Sequence, residues 1–203
     1  MRLRALALGL LLSAPLALGL SPTAPLDGPP SAEASVAVLV SLEDLVKSSA
    51  YVVIATPGEQ RSAWEDGPTG RRIVTYTRLA VERSVAGPEA PELWVRTLGG
   101  VVDKIGQAVS GEAQLTRGSR ALIFLAQVDA GLVVTARAQG HYPIVPDEKA
   151  AALGSPRLSG SPDAGMLLPR RGPTISARER LVGVTLDEAV TAVQVARKAT
   201  DAK

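Results

Sequence analysis

The sequence contains no cysteine and no asparagine, and its aromatic content is low. Without cysteine the protein can form neither disulfide bonds nor thiolate metal sites, and without asparagine it has no N-glycosylation acceptor. Aromatic residues make up 3% of the chain, as 2 Trp, 3 Tyr and 1 Phe. A folded core must therefore be filled mainly by Val, Leu, Ile and Ala.

The chain has a single histidine, His141, which restricts the chemistry open to it. The HExxH zinc motif and the GxSxG nucleophile elbow are both absent, so we expect no metal site, no cofactor and no catalytic residue. In the stretch QGHYP we interpret His141 as a packing or strand-surface residue, and keep it as a candidate partner contact. The alternative function is a hydrolase that uses His141 with an unidentified serine and carboxylate.

The first 19 residues have the pattern of a secretory signal peptide. Two arginines among the first four residues are followed by the unbroken apolar run Ala5–Leu12, and Ala17 and Gly19 are small residues of the kind a signal peptidase reads. The run is short for a bilayer span of about 20 residues. We predict cleavage after residue 19, or as late as residue 24, a secreted or periplasmic location, and no membrane span after cleavage.

The charge balance depends on that cleavage. Removing the two arginines of the signal peptide from the 22 basic residues leaves 20, equal to the 20 acidic residues. A balanced chain lacks the basic surface expected of a nucleic-acid-binding protein. We therefore expect no nucleic acid, and as a partner another exported protein or a component of the envelope.

Alternating and β-branched runs predict a mainly β domain over residues 36–150. In RRIVTYTRLAVERSV, apolar and polar residues alternate as in a strand with one buried face, whereas ALIFL is apolar on both faces, as in a central covered strand. We predict antiparallel strands at about 50–57, 72–85, 92–98, 120–128 and 132–145, with Gly140 at a bulge or bend. Five strands with short turns indicate a small OB-like barrel or a sandwich.

Helices are expected on either side of these strands. Ser41 can cap a short N-terminal helix, and Thr185 with Glu188 forms a capping box for an amphipathic helix at about 185–199. The remaining divisions follow composition: residues 20–35 as a flexible leader, 151–176 as a linker or loop, and 177–203 as a C-terminal helical segment.

The stretch LGGVVDKIGQAVSGEAQLTRG, residues 98–118, contains five glycines. The spacing of these glycines matches neither a Walker loop nor a dinucleotide-binding loop. We therefore interpret them as positions where the backbone has positive φ or where another segment of the chain approaches too closely for a side chain. The alternative is a rim loop that binds a partner. Its candidate contacts are Asp103, Lys104 and Gln107, and Trp64, beside a predicted turn, is a fourth candidate.

Residues 41–145, through SLEDLVKSSAYVVIATPGEQ, RRIVTYTRLAVERSVAG and GSRALIFL, resemble a group of uncharacterised exported bacterial proteins. More loosely, they are similar to netrin-like domains, which include the tissue inhibitors of metalloproteinases. That resemblance implies an OB-type barrel with a partner-binding rim. The inhibitors chelate the zinc of a protease through an N-terminal cysteine, so this mechanism cannot transfer to a chain without cysteine.

Overall fold

The β-branched runs form the framework of the computed structural model, which describes residues 36–67, 70–146, 155–170, 172 and 174–202. The predicted signal peptide and leader lie outside the described residues. Within the described ranges, 3-10 turns occur at Arg137–Gly140 and Pro162–Ala164. Among the described residues the strands are β1 (Val36–Val38), β2 (Tyr51–Gly67), β3 (Gly70–Ala86), β4 (Glu92–Leu98), β5 (Gly100–Val102), β6 (Ile105–Gln107), β7 (Ala121–Val128), β8 (Gly131–Val134), β9 (His141–Val145), β10 (Arg157–Leu158) and β11 (Met166–Leu168). The α-helices are α1 (Leu42–Lys47), α2 (Ala177–Leu181) and α3 (Leu186–Asp201).

Five strands are joined by a cycle of backbone pairings. β2 pairs antiparallel with both β3 and β7, and β3 pairs antiparallel with β4. β8 completes the cycle, because it is antiparallel to β7 and parallel to β4 over two residue pairs. The mainly β fold predicted from the sequence is therefore confirmed, together with its N-terminal and C-terminal helices. The sheet is mixed and not purely antiparallel as predicted, because β4 and β8 run in parallel.

The predicted fifth strand, 132–145, is two strands, so that prediction is wrong in detail. Ala136 and Arg137 both have positive φ, 52° and 56°, and they turn the chain between β8 and β9. A Cβ on Gly140 would lie 2.2 Å from the carbonyl oxygen of Thr135, so this close approach requires glycine. The expected bend at Gly140 is present, and beyond it β9 pairs with the first half of β7.

β2 and β3 extend past the rest of the sheet as a long hairpin. The ladder between them runs to Gly67 and Gly70, whereas β7 covers only residues 51–55 of β2. Register shifts between Pro57 and Gln60 mark the start of this extension. We call residues 60–67 and 70–77 the arm.

The core has two parts, because β2 and β7 bury both of their faces. Val53 and Ile123 point to the inside of the cycle, whereas Val52 and Phe124 pack against the helices. Phe124 is fully buried, so the prediction of ALIFL as a central covered strand is confirmed. The helical layer includes the apolar stripe of α3, whose buried residues are Leu186, Ala189, Val190, Val193 and Ala196.

The helix ends are capped as their sequences predict. The Ser41 side chain accepts a hydrogen bond from the backbone N–H of Asp44, and Thr185 and Glu188 form both bonds of a capping box. Arg197, near the end of α3, donates to the carbonyl oxygens of Val46 and Ser49 and so ties α3 to α1.

The segment interpreted as a linker or loop contributes to packing in its described part. Residues Arg157 and Leu158 pair with β9, and Leu158 is buried in the helical layer of the core. β11 pairs in parallel with β1. The described residues belong to one compact unit, and none of their helices is both long and apolar enough to cross a membrane.

Candidate functional site

The glycine-rich stretch folds against the arm, and four of its five glycines have positive φ. These are Gly99, Gly100, Gly111 and Gly118. At Gly100, with φ of 130°, a Cβ would lie 2.2 Å from the Thr75 hydroxyl oxygen and 2.7 Å from that of Ser62. The interpretation of the glycines as positions of positive φ or close approach is therefore confirmed for these four. It is wrong for Gly106, where φ is not positive and the nearest atom to a Cβ would lie 3.8 Å away.

The three polar candidates of this stretch lie in the hairpin that β5 and β6 form. Asp103 and Lys104 are exposed at its turn, where Asp103 has φ of 55°. Gln107 has a structural role, because its side-chain oxygen accepts a hydrogen bond of 2.6 Å from the backbone N–H of Ile73. Ile73 pairs with Trp64 across the arm, so the structure brings all four candidates to one end of the molecule.

A cavity of about 610 Å³ lies between the glycine-rich stretch and the inner face of the arm. Thr75 and Thr97 line it from β3 and β4, and residues 112–117 line it from the loop. Hydrogen bonds fix its walls: Thr75 donates to the carbonyl oxygen of Gly99 at 2.7 Å, and Gln60 donates to that of Leu115 at 2.5 Å. The cavity is thus shaped before any ligand enters.

Glu112 is a buried carboxylate in the cavity wall. Only 8% of the residue is exposed, and burial raises the pKa of its carboxyl group, opposed by a hydrogen bond from the backbone of Leu98 and by the charge of Arg137. The Nε atom of Arg137 lies 3.7 Å from the carboxylate. Arg137 has a left-handed backbone conformation, which is uncommon outside glycine, asparagine and aspartate. A strained backbone position therefore lies beside the buried Glu112 carboxyl group.

The outer face of the arm and β4 carries exposed aromatic and arginine side chains. The register places Tyr76 between Arg61 and Arg96, and Arg78 opposite Trp94. Tyr76 is 36% exposed and Trp94 is 38% exposed. The Arg61 guanidinium lies 5.6 Å from the centre of the Trp94 ring, within the range of a cation–π contact. We call the exposed residues Arg61, Tyr76, Arg78 and Trp94, together with the buried Arg96 opposite Tyr76, the Trp94 face.

An ion-pair cluster holds this face in one arrangement. Glu65 accepts two hydrogen bonds from Arg96, of 2.6 and 2.9 Å, and a third of 3.0 Å from Arg72. These bonds, those of Arg96 first, lower the pKa of Glu65 to about 2. Arg96 is 7% exposed, so its position is set by this bidentate pair and by the surrounding strands.

Trp64 lies on the opposite face of the arm from Trp94. Trp64 is directly across from Ile73, which is fully buried, whereas Trp94 is across from the exposed Arg78. Trp64 also has an arginine against its ring, with Arg71 at 4.9 Å from the ring centre. Both tryptophans of the chain are therefore at this end of the molecule, on two different surfaces.

His141 is separate from these surfaces. It begins β9, is 5% exposed, and its Nδ1 atom has no hydrogen-bond partner among the described residues. Burial lowers its pKa, against the opposing charge of Asp163. The serine and the carboxylate considered with His141 are Ser161 and Asp163, and the Ser161 hydroxyl donates to the Asp163 carboxylate at 3.4 Å. An activated serine would instead require a bond to the imidazole.

The sequence did not single out Glu112 or Tyr76. The alternation in β3 shows that Tyr76 points outward, but its neighbours on β2 and β4 depend on a ladder register set by the whole sheet. Glu112 lies in a loop without periodicity, where nothing local indicates burial. Among the described residues, no group of three or more His, Cys, Asp or Glu side chains could hold a metal ion.

No family model matches this sequence, and comparison with the curated proteins found no match.

Proposed function

We propose that this protein is an exported, non-catalytic interaction module that binds another exported protein or an envelope component through the Trp94 face. The observation that carries the proposal is the exposure of Trp94 and Tyr76 on one rigid sheet face in a protein with few aromatic residues. Such side chains would contribute most to folding if they were buried in the core. Their placement at the surface, together with Arg61, supports a role in binding.

The composition of the Trp94 face is that of a protein-binding surface. Trp, Tyr and Arg are the residues most enriched among those that dominate the energy of protein interfaces. Arg61 stacks on the Trp94 ring, and the buried Arg96 fixes Glu65 beside them through a bidentate ion pair. Ordering this face on binding therefore costs little conformational entropy. A prearranged surface of this kind favours a folded partner.

The ion pairs also argue against a polyanionic partner. Arg78 pairs with Glu92, Arg96 with Glu65, and Arg61 with Glu59. Phosphate groups bind best to arginines whose charge is not already balanced by carboxylates. This supports a protein over a nucleic acid.

The test compares two tryptophan variants. The purified protein, immobilised, captures partners from envelope and culture-supernatant fractions, and bound proteins are identified by mass spectrometry. We expect Trp94→Ala to lose a specific partner and Trp64→Ala to retain it. Trp64 is the matched control, because it is the same residue type with its own stacked arginine on the opposite face of the arm.

Each outcome decides between surfaces. Loss of the partner with Trp64→Ala and its retention with Trp94→Ala would assign binding to the inner side of the arm and refute the proposal. Circular dichroism of both variants checks that the fold is intact. For the hydrolase alternative, the measurement is esterase or peptidase activity of the wild-type protein that His141→Ala abolishes.

A further inference from the structure

The cavity between the glycine-rich stretch and the arm is a second candidate site, distinct from the outward-facing Trp94 face. It is lined by Thr75 and Thr97, which point to the inner side of the sheet. Its volume of about 610 Å³ lies within the range of small-molecule sites. It is therefore large enough for a compact ligand and too small for a folded partner.

The cavity walls are fixed by the protein's own hydrogen bonds. The Thr75 hydroxyl bonds to the Ser62 hydroxyl at 2.9 Å and to the carbonyl oxygen of Gly99 at 2.7 Å. On the other side, Arg117 donates from Nε to the carbonyl oxygen of Gly58 at 2.9 Å. Because the walls do not have to be ordered by a ligand, little conformational entropy is lost when one binds.

The charges that line the cavity indicate the class of ligand. Among the described lining residues, the charged ones are Glu112 and Arg117, one of each sign. Glu112 is in addition already paired with Arg137. A ligand with a net charge of either sign would therefore meet a like charge in this wall, and part of its desolvation cost would stay uncompensated. A neutral ligand avoids that cost.

The remaining polar lining groups suit hydroxyl groups. Gln114 and Thr116 add an amide and a hydroxyl to the Glu112 carboxylate. Gln107 adds the amide nitrogen of its side chain, since its oxygen accepts from Ile73. Carboxylates accept hydrogen bonds, whereas amides and hydroxyls both donate and accept. A hydroxyl group also does both, so a ligand with several hydroxyls can satisfy such a mixed set.

We propose that this cavity binds a neutral polyhydroxylated small molecule, a monosaccharide or disaccharide, with Glu112 accepting hydrogen bonds from its hydroxyl groups. The site is independent of the partner-binding function proposed above, since it opens on the other face of the arm.

Isothermal titration calorimetry of the purified protein tests the ligand class. The neutral probes are glucose, N-acetylglucosamine and maltose, and the charged counterparts are glucuronate and glucosamine. We expect at least one neutral probe to bind and the charged counterparts to bind more weakly. Failure of all three neutral probes to bind, or preferential binding of a charged counterpart, would overturn the proposal.

Three variants place the binding in the cavity. Ala108 is an exposed lining residue, so Ala108→Trp should block the cavity and abolish binding, whereas Ala130→Trp, in the exposed β7–β8 turn outside the cavity, should not. Glu112→Gln keeps the shape of the side chain, and it should weaken binding about tenfold by replacing a charged acceptor with a neutral one.

These variants also separate this proposal from the previous one. Trp94→Ala should leave sugar binding unchanged, and Ala108→Trp should leave capture of the protein partner unchanged. Sugar binding that survives Ala108→Trp, or that Ala130→Trp removes equally, would show that the cavity is not the site.

Discussion

Gln107 completes the hydrogen bonding of β3 by a side-chain contact. Ile73 is fully buried, and its backbone N–H donates to the side-chain oxygen of Gln107 at 2.6 Å. The carbonyl oxygen of Ile73 accepts from Gly99 at 2.8 Å, so the loop closes this end of the strand with two bonds. From the sequence, Gln107 was a candidate partner contact; in the structure its side chain supports the arm.

We expect Gln107→Ala to destabilise the protein although the residue is exposed. A buried backbone N–H left without an acceptor costs about 1–3 kcal/mol. Urea denaturation of the wild type and the variant measures the change in the free energy of unfolding. Lys104→Ala, in the same hairpin, is the control and should change that free energy by less than about 0.5 kcal/mol. Equal effects of the two substitutions would contradict the structural role of Gln107.

At the scale of elements, the arm is a long hairpin whose outer face is organised by Glu65. That carboxylate joins Arg72 of β3 to Arg96 of β4, so one side chain ties three strands together. Its side chain is 29% exposed, which leaves the pair partly shielded from solvent. On its outer side the arm is therefore stabilised by the ion pairs of Glu65 with Arg72 and Arg96.

This cluster should make stability depend on pH in the acid range. The pKa of Glu65 is about 2 in the folded protein against 4.5 as its ordinary value, so between these values the unfolded chain binds more protons than the folded one. The stabilisation is complete above about pH 4.5 and is lost as the pH falls toward 2. We expect Glu65→Gln to lower the urea midpoint at neutral pH and to reduce its further fall on acidification.

Glu59→Gln is the control for that measurement. Glu59 forms an exposed pair with Arg61, whose side chain is 70% exposed, and such pairs contribute little to stability. This variant should keep the acid dependence of the wild type. A Glu65→Gln variant with the same acid dependence as the wild type would show that the cluster does not stabilise the fold.

At the scale of the whole molecule, two surfaces lie on opposite sides of the same arm. The outer one carries Trp94 and Tyr76, and the inner one forms the cavity with Glu112 in its wall. The outer surface is built on strands of the sheet, which hold side chains more precisely than free loops do, whereas the glycine-rich stretch supplies most of the lining of the cavity. The two proposed sites therefore do not overlap, and we expect a protein partner and a small molecule to bind without competition.

Export itself is the prediction at this scale. We expect the native protein to begin near Leu20 or Pro25, because a signal peptidase would remove the basic and apolar segment before it. N-terminal sequencing of protein from culture supernatant or periplasm measures this directly. An intact Met1 on a protein extracted from membranes would mean that the segment is an anchor.

Much of this fold could be predicted from the sequence, because its signals are local. The alternation in β3, the two-sided apolar run of β7 and the capping box of α3 each involve residues a few positions apart, and each element formed where its pattern predicted. The glycines behave likewise, since positive φ is a property of single positions.

What only the tertiary structure decided depends on residues far apart in the chain. The parallel contact of β4 with β8 joins Val95 to Leu132, and no local pattern specifies it. The same holds for the break at Ala136 and Arg137, for the Ile73 partner of Gln107, and for the burial of Glu112. Periodicity shows to which face of a strand a side chain points. Its neighbours on that face depend on the register of the strands and on the packing of the loops, and these are set by the energy of the assembled sheet.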